Sequence, residues 1–211
     1  MKGKKWAMMV VLGVSVIANV VFGKSYWEAT KVIEVIDGDT FRMKNERKVR
    51  LLGIDTPELG DCGSEEAKAK LTDLIDGKRV VLTEKTGETY GRIQALVYVG
   101  DTLVNKVMLE EGWARTDYKK NSHREEMTAV YHEAKNSKRG VFGMDCSQVE
   151  PESKDCVIKG NIDADRSWKI YHLPECTQYK SVIIDLDRGE KWFCSEEEAI
   201  EAGFRKSGEC E

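Results

Sequence analysis

Three short polar clusters in the first half of the chain carry side chains suited to chemistry. They are Asp37-Gly38-Asp39-Thr40, the run from Arg50 to Asp55-Thr56-Pro57-Glu58, and Tyr90-Gly91-Arg92. Singly, each has an ordinary meaning. Asp-Gly signals a hairpin turn, Thr-Pro stiffens a strand exit, and Tyr-Gly-Arg is a turn carrying a surface arginine. Together they suit one task. Asp39 and Asp55, with the backbone carbonyl of Thr56, form a hard, oxygen-only set of the kind that holds Ca²⁺. Arg50 and Arg92 supply forked donors that match phosphate oxygens better than lysine does. Glu58 lies three residues beyond Asp55 across a proline, placed to hold or deprotonate a water beside that cation. Charge neutralisation, an oriented nucleophile and support for a pentacovalent transition state are the requirements of phosphodiester chemistry.

The elements that must position these residues are legible as short strands and helices. Apolar alternation predicts strands at 28–35, 40–44, 48–54, 79–84 and 93–99, separated by turn-forming dipeptides, which suggests an antiparallel, barrel-like sheet. Between them, Ala67, Leu71, Leu74 and Ile75 fall on one helical face, with Ser64 as N-cap and Gly77 as the stop. A second helix is expected over 103–111, ending at Gly112. A third opens on Ser122-His123-Arg124-Glu125 as a capping box and buries Met127, Val130, Tyr131 and Ala134. His123 and His132 lie in this helix without spaced partners and read as ordinary histidines.

The chain has 211 residues, 33% of them charged and 41% hydrophobic, with only 3 prolines. Fibrous and low-complexity readings are thereby excluded, and one or two folded domains are expected. The net charge is -4, and residues 161–211 contribute 7 Lys/Arg against 12 Asp/Glu. Any polyanion must therefore be bound by a local site rather than by the field of the whole molecule. Residues 1–24 read as a targeting segment, with Lys2, Lys4 and Lys5 before an apolar run from Trp6 to Phe22. Cleavage near Gly23 gives a secreted protein. The alternative is an uncleaved membrane anchor that leaves the folded part facing outward. Contact with a membrane is expected only in that case.

The four-part pattern resembles the staphylococcal nuclease (thermonuclease) family over residues 26–145. It comprises the Asp-Gly-Asp-Thr turn, the Arg50-to-Glu58 segment, the Tyr-Gly-Arg turn, and Leu103-Val104-Asn105 leading to Glu111-Gly112-Trp113-Ala114. The resemblance implies a mainly β fold with α: a five-stranded OB-fold barrel with about three helices, extended here by a small α+β C-terminal domain. It also implies Ca²⁺ dependence and cleavage of DNA and RNA to 3′-phosphate products. By position it places Asp39, Asp55 and Thr56 at the metal and Asp37 near it. Arg50 and Arg92 become phosphate-binding residues and Glu58 the general base. Tyr90 and Tyr118 match aromatics that meet the bound nucleotide, where stacking tolerates any base. Thr89 and Lys120 depart from the pattern, standing where the family often has lysine and a further tyrosine. The rival class is a non-catalytic nucleic-acid or cell-surface binding module on the same frame. The presence of both arginines, the glutamate and the aspartates favours the enzyme. A monomer is expected.

After a polar stretch read as a linker over 146–158, residues 159–211 form a second unit. Its segments Lys159-Gly160-Asn161, Tyr171-His172-Leu173-Pro174-Glu175-Cys176 and Trp192-Phe193-Cys194 recur as a C-terminal module in secreted bacterial nucleases. They faintly resemble the zinc-binding domain of bacterial alkylation-repair proteins, although Ser207 stands where that pattern has a cysteine. Two readings stay open. His172, Cys176, Cys194 and Cys210 could make a tetrahedral zinc site, or Cys176 and Cys194 could be joined across two strands. Six cysteines in an exported chain suit disulfides, and export with the missing cysteine favours that reading.

Overall fold

The computed structural model describes residues 30–89, 91–117, 119–163 and 168–210. The leader, Tyr90 and Tyr118 lie outside the described residues.

The first unit contains β1 (Val32–Val35), β2 (Thr40–Met43), β3 (Lys48–Leu51), β4 (Ile54–Asp55), α1 (Ser64–Ile75), β5 (Val81–Thr89), β6 (Arg92–Val99), β7 (Thr102–Leu103), α2 (Val104–Glu110), β8 (Arg115–Thr116) and α3 (Arg124–Asn136). Six of these strands make one sheet in the order β1-β2-β3-β6-β5, with β7 beside β6. The neighbouring pairs are antiparallel except β3 and β6, which run parallel, with Lys48 opposite Arg92 and Leu51 opposite Ala95. This corrects the all-antiparallel expectation. The chain between β3 and β6 includes α1 and β5, and so long a crossover lets two strands align in the same direction where a tight turn could not. At the far edges, the Val32 N–H donates to the Lys78 carbonyl (2.8 Å) and the Val80 N–H to the Thr30 carbonyl (3.2 Å). The segment entering β5 is thereby brought onto β1. With four α-helices among the described residues, the architecture is mixed α/β and consistent with an OB-like fold.

Alternation decides what is buried. Phe41, Met43, Val49 and Leu51 point inward from β2 and β3, while β6 is buried on both faces from Ile93 to Val97, as a central strand must be. Ala67, Leu71 and Ile75 recur every four residues and seat α1 on this core. Asn105 of α2 is fully buried. Its side chain accepts from the Val97 N–H and donates to the Leu52 and Ala95 carbonyls, so no polar atom of it is stranded.

Local signals gave way in three places. The strand expected over 48–54 divides at Gly53, whose φ of +81° turns the chain before β4. Ser64 is the first residue of α1 rather than its cap, and its hydroxyl accepts from the Gly60 N–H. The capping box at Ser122 does not form. Both the N–H and the hydroxyl of Ser122 bond Glu84, 38 residues away, and α3 begins after His123.

The second unit is a sheet in the order β13-β10-β11-β14, from β10 (Ile158–Asp163), β11 (Trp168–His172), β13 (Lys191–Phe193) and β14 (Arg205–Lys206). The helix α4 (Glu196–Glu201) is capped by Ser195, whose hydroxyl accepts from the Glu198 N–H, as its sequence predicts. The stretch read as a linker carries β9 (Ser147–Gln148), which pairs with β12 (Ile184–Asp185).

All six cysteines are in disulfides: Cys62–Cys146, Cys156–Cys194 and Cys176–Cys210. This overturns the tetrahedral zinc set of His172, Cys176, Cys194 and Cys210, because no thiolate is left to bind metal. It also overturns the Cys176–Cys194 bridge. Strand register explains both outcomes. Ile158 pairs with Phe193, which sets Cys156 beside Cys194. Tyr171 pairs with Lys206, and the Ser207 N–H donates to the Tyr171 carbonyl, which carries Cys210 toward the turn holding Cys176.

Candidate active site

The site is assembled at the ends of β2, β3, β4 and β6. Thr40 lies opposite Arg50 across β2 and β3, and Arg50 lies opposite Gln94 across β3 and β6. Arg92 is two residues before Gln94, so the period of two puts it on the same face as Arg50. The Asp37-Gly38-Asp39 turn is held by Asp37, whose Oδ1 accepts from the N–H groups of Asp39 (3.1 Å) and Thr40 (2.7 Å). Gly38 allows the turn to close on β4. A Cβ there would stand 2.7 Å from Thr56 Oγ1 and 2.9 Å from Ala67 Cβ, so only glycine fits.

Arg50 is the hub. Its Nη1 donates to Asp39 Oδ1 at 2.7 Å, and its Nη2 reaches Asp39 Oδ2 at 2.7 Å and Asp55 Oδ1 at 2.5 Å. Asp39 is 1% exposed, and the Thr40 hydroxyl donates to the same Oδ1 at 2.8 Å. Arg92 Nη1 approaches that hydroxyl at 3.4 Å. Burial pushes the Asp39 carboxyl up to about 7, with Arg50 pulling the other way and the Asp37 and Asp55 charges pushing further up. Burial disfavours the charged Arg50, but Asp39, Asp55, Asp37 and Glu58 outweigh it and hold the guanidinium protonated. Glu58 is exposed on the loop after Pro57 and lines a cleft of about 550 Å³ together with Arg50, Asp55 and Thr56.

The donor set fits an oxygen-binding cation. A buried carboxylate that one arginine cannot keep fully ionised gains from a second positive charge, and Asp55 lies within reach of the same guanidinium nitrogen. Among the described residues no three His, Cys, Asp or Glu side chains converge as a metal cage.

Several cleft residues escaped the sequence reading. Asp117 is half-buried beside Asp55. Burial raises its pKa, against the Lys119 N–H that its carboxylate accepts. Asp61, Arg115 and Arg124 also line the cleft, as do Asp187 and Arg188 from the second unit. Asp117 adjoins Tyr118 in sequence and was open to suspicion. Nothing in the sequence links Arg115 to position 187.

Residues 48–143 match the family described as Staphylococcal nuclease homologue. An uncharacterized endonuclease of Escherichia coli is 32% identical over 127 residues, covering 57% of this chain and 80% of the relative. The chain belongs to the staphylococcal nuclease family. A micrococcal nuclease of Shigella flexneri is 33% identical over 128 residues, 54% of this chain and 71% of the relative. The thermonuclease of Staphylococcus hyicus is 28% identical over 125 residues, 53% of this chain and 74% of the relative. The segment matched to the staphylococcal nuclease family contains Arg50, Asp55, Thr56, Glu58 and Arg92, whereas Asp37 and Asp39 precede it.

Proposed function

We propose that the chain is a secreted, Ca²⁺-dependent nuclease of the five-stranded OB-barrel type. It hydrolyses phosphodiester bonds of DNA and RNA to 3′-phosphate products. The observation that carries the reading is the bridge from Arg50 to both Asp39 and Asp55 beside Glu58, inside a cleft, in a chain whose relatives are named nucleases. Asp39, Asp55 and the Thr56 carbonyl would hold the Ca²⁺, which when bound would offset phosphate charge. Asp37 keeps the turn that presents Asp39. Glu58 accepts the proton of a water that attacks phosphorus in line with the departing 5′ oxygen. The P–O5′ bond breaks and the departing oxygen takes a proton from solvent, leaving a 5′-hydroxyl on one fragment and a 3′-phosphate on the other. Arg50 and Arg92 donate to the non-bridging oxygens as charge gathers there, and this is worth most in the transition state. Tyr90 and Tyr118 receive the nucleotide.

Export is supported by the leader and by three disulfides, which persist in oxidising compartments. We read the catalytic unit as residues 25–145, the linking stretch as 146–158, and a monomer as the working form. The test is degradation of denatured DNA by the purified 24–211 chain with Ca²⁺ and then with a chelator, with end-group analysis of the products. Activity that persists in chelator, with bound calcium shown to be absent, removes the metal assignment.

A further inference from the structure

The cleft that holds Arg50, Asp55 and Glu58 is bounded on its other side by the second unit, through Ile162, Asp163, Asp187 and Arg188. That wall is fixed in place. Arg115 lies opposite Asp55 in the β4–β8 pair, and its fork grips Asp187 through Nε (2.7 Å) and Nη2 (2.9 Å). Arg115 also reaches Asp185 at 3.3 Å and lies over the Phe142 ring. Asp187 is 5% exposed, so this is a paired, desolvated contact rather than a loose surface one. The Leu186 N–H donates to the Cys146 carbonyl at 2.7 Å, and Cys146 is bonded to Cys62, four residues after Glu58. A Cβ at Gly189 would stand 3.3 Å from Asp61 Oδ2. The loop carrying Glu58 and the loop at 185–190 are therefore packed side by side.

The cations of this cleft are not equivalent. Arg50 is committed to Asp39 and Asp55, Arg115 to Asp187 and Asp185, and Lys119 stands 3.9 Å from Asp117. Arg124 bonds carbonyl oxygens instead, those of Asp117 (3.0 Å) and Lys119 (3.2 Å). Arg188 donates to the Ile162 carbonyl at 2.7 Å and is 3.6 Å from Glu190, a buried carboxylate already accepting two backbone N–H groups. Arg124 thus spends one nitrogen on carbonyls. Arg188 meets its carboxylate only at the longer distance, where both Glu190 oxygens already accept N–H groups. Each arginine, one from each unit, therefore has donors left for a ligand. The second unit is acidic as a whole, so its field repels nucleic acid and an attraction there has to be local.

We propose that the C-terminal unit is the second wall of the substrate cleft, and that Arg188, with Arg124 from the nuclease unit, holds backbone phosphates next to the scissile one on a single strand. The proposal rests on the nuclease reading for its substrate. It assigns the C-terminal unit to substrate capture rather than to anchoring or folding alone.

The experiment uses the intact chain and a labelled single-stranded 12-mer, read both by cleavage and by equilibrium binding in Ca²⁺ at several salt concentrations. Arg188→Ala and Arg124→Ala are each expected to raise KM about tenfold, the size of one charge-assisted phosphate contact, with a much smaller change in kcat. Each should flatten the slope of log affinity against log salt by about 0.7, one contact's worth on a single strand. Arg188→Lys should recover the slope while losing the fork. A purely structural arginine would leave the slope alone. Arg188→Gln keeps a donor for the Ile162 carbonyl and replaces Arg188→Ala as the reporter if the latter melts early. Parental KM and parental slope in a folded Arg188 variant overturn the inference and leave the nuclease reading standing. A parent chain that binds the 12-mer but never cleaves it overturns the nuclease reading, and the binding slopes then decide the inference by themselves.

Discussion

Among the described residues, twenty apolar side chains between Val32 and Met127 are buried in one cluster, whereas from Ile158 to Phe204 seven are buried in another. The first unit carries one disulfide, Cys62–Cys146, which closes a separation of 84 residues around a core of that size. The second is crossed by Cys156–Cys194 and Cys176–Cys210, which close separations of 38 and 34 residues. A unit of about fifty residues buries too small a fraction of its surface to be comfortable alone, and cross-links offset the shortfall by restricting the unfolded chain. The chemistry follows the same division. Every side chain given a role in bond breaking stands in the first unit, and the second unit supplies a wall.

Breaking the cross-links should have the largest effect. Each tail disulfide is worth about 4 kcal/mol for loops of this length. Reductant, or paired Cys156→Ser and Cys194→Ser, should unfold residues 159–210 while the β1–β7 sheet keeps its amide protection, as hydrogen exchange would report. A chelator alone should leave the tail folded. Equal loss of protection in both units would show that they unfold together.

Next in size is the chemistry of the sheet. Arg50→Lys keeps one charge but cannot reach Asp39 and Asp55 at once, so turnover should fall by about two orders of magnitude or more, a loss of about 3 kcal/mol. Glu58→Gln should slow turnover similarly without lowering the Tm, because Glu58 is exposed and outside the core. Near-parental rates in both variants would put the binding-module reading ahead.

The same division marks what was legible in the sequence. Asp37, Asp39, Arg50, Asp55 and Glu58 are confined to one turn, two short strands and the loop that follows them, so local spacing nearly determines their geometry. Ala67, Leu71 and Ile75 were readable because a helical face is periodic. What escaped reading depends on long-range register. The cysteine partners follow from Ile158 meeting Phe193 and Tyr171 meeting Lys206, and no local signal encodes either pairing. The stretch before β10 looked like a linker because its polar residues are those of β9 and the turns after it, and β9 exists only through β12. Ser122 failed as a cap because Glu84 offered its hydroxyl and N–H a partner from another element.

Removing the tail is expected to cost less than either preceding change. A chain ending at Gln148 retains the sheet, all three helices of the first unit and the Cys62–Cys146 bond. It should stay folded and cleave single strands with a KM raised about tenfold, the loss of one charge-assisted contact. A folded fragment with no activity would move the tail from capture into catalysis.

The smallest effect, and one that separates the units by sign, is that of pH on the calcium-free chain. Asp39 has its pKa raised by burial to about 7, so the folded state holds this proton more tightly than the unfolded state does. Its contribution to stability is complete below the ordinary carboxyl range near 4 and is lost as pH rises through 7. His172 behaves oppositely. It is buried with Nε2 on Asn161 Oδ1, and its Nδ1 has no hydrogen-bond partner. Burial and the Lys159 charge lower its pKa, partly opposed by Glu209. Its contribution is present above about 6.5 and is lost as pH falls below that value, because the unfolded imidazole takes the proton first. Between pH 7.5 and 5.5, then, the sheet should gain a little stability while the tail loses some, each by no more than a few degrees in Tm. Asp39→Asn should flatten the first trend and His172→Gln the second, followed by hydrogen exchange resolved to each unit. Parallel pH trends in the two units, or trends that survive both substitutions, would assign the pH dependence to other groups.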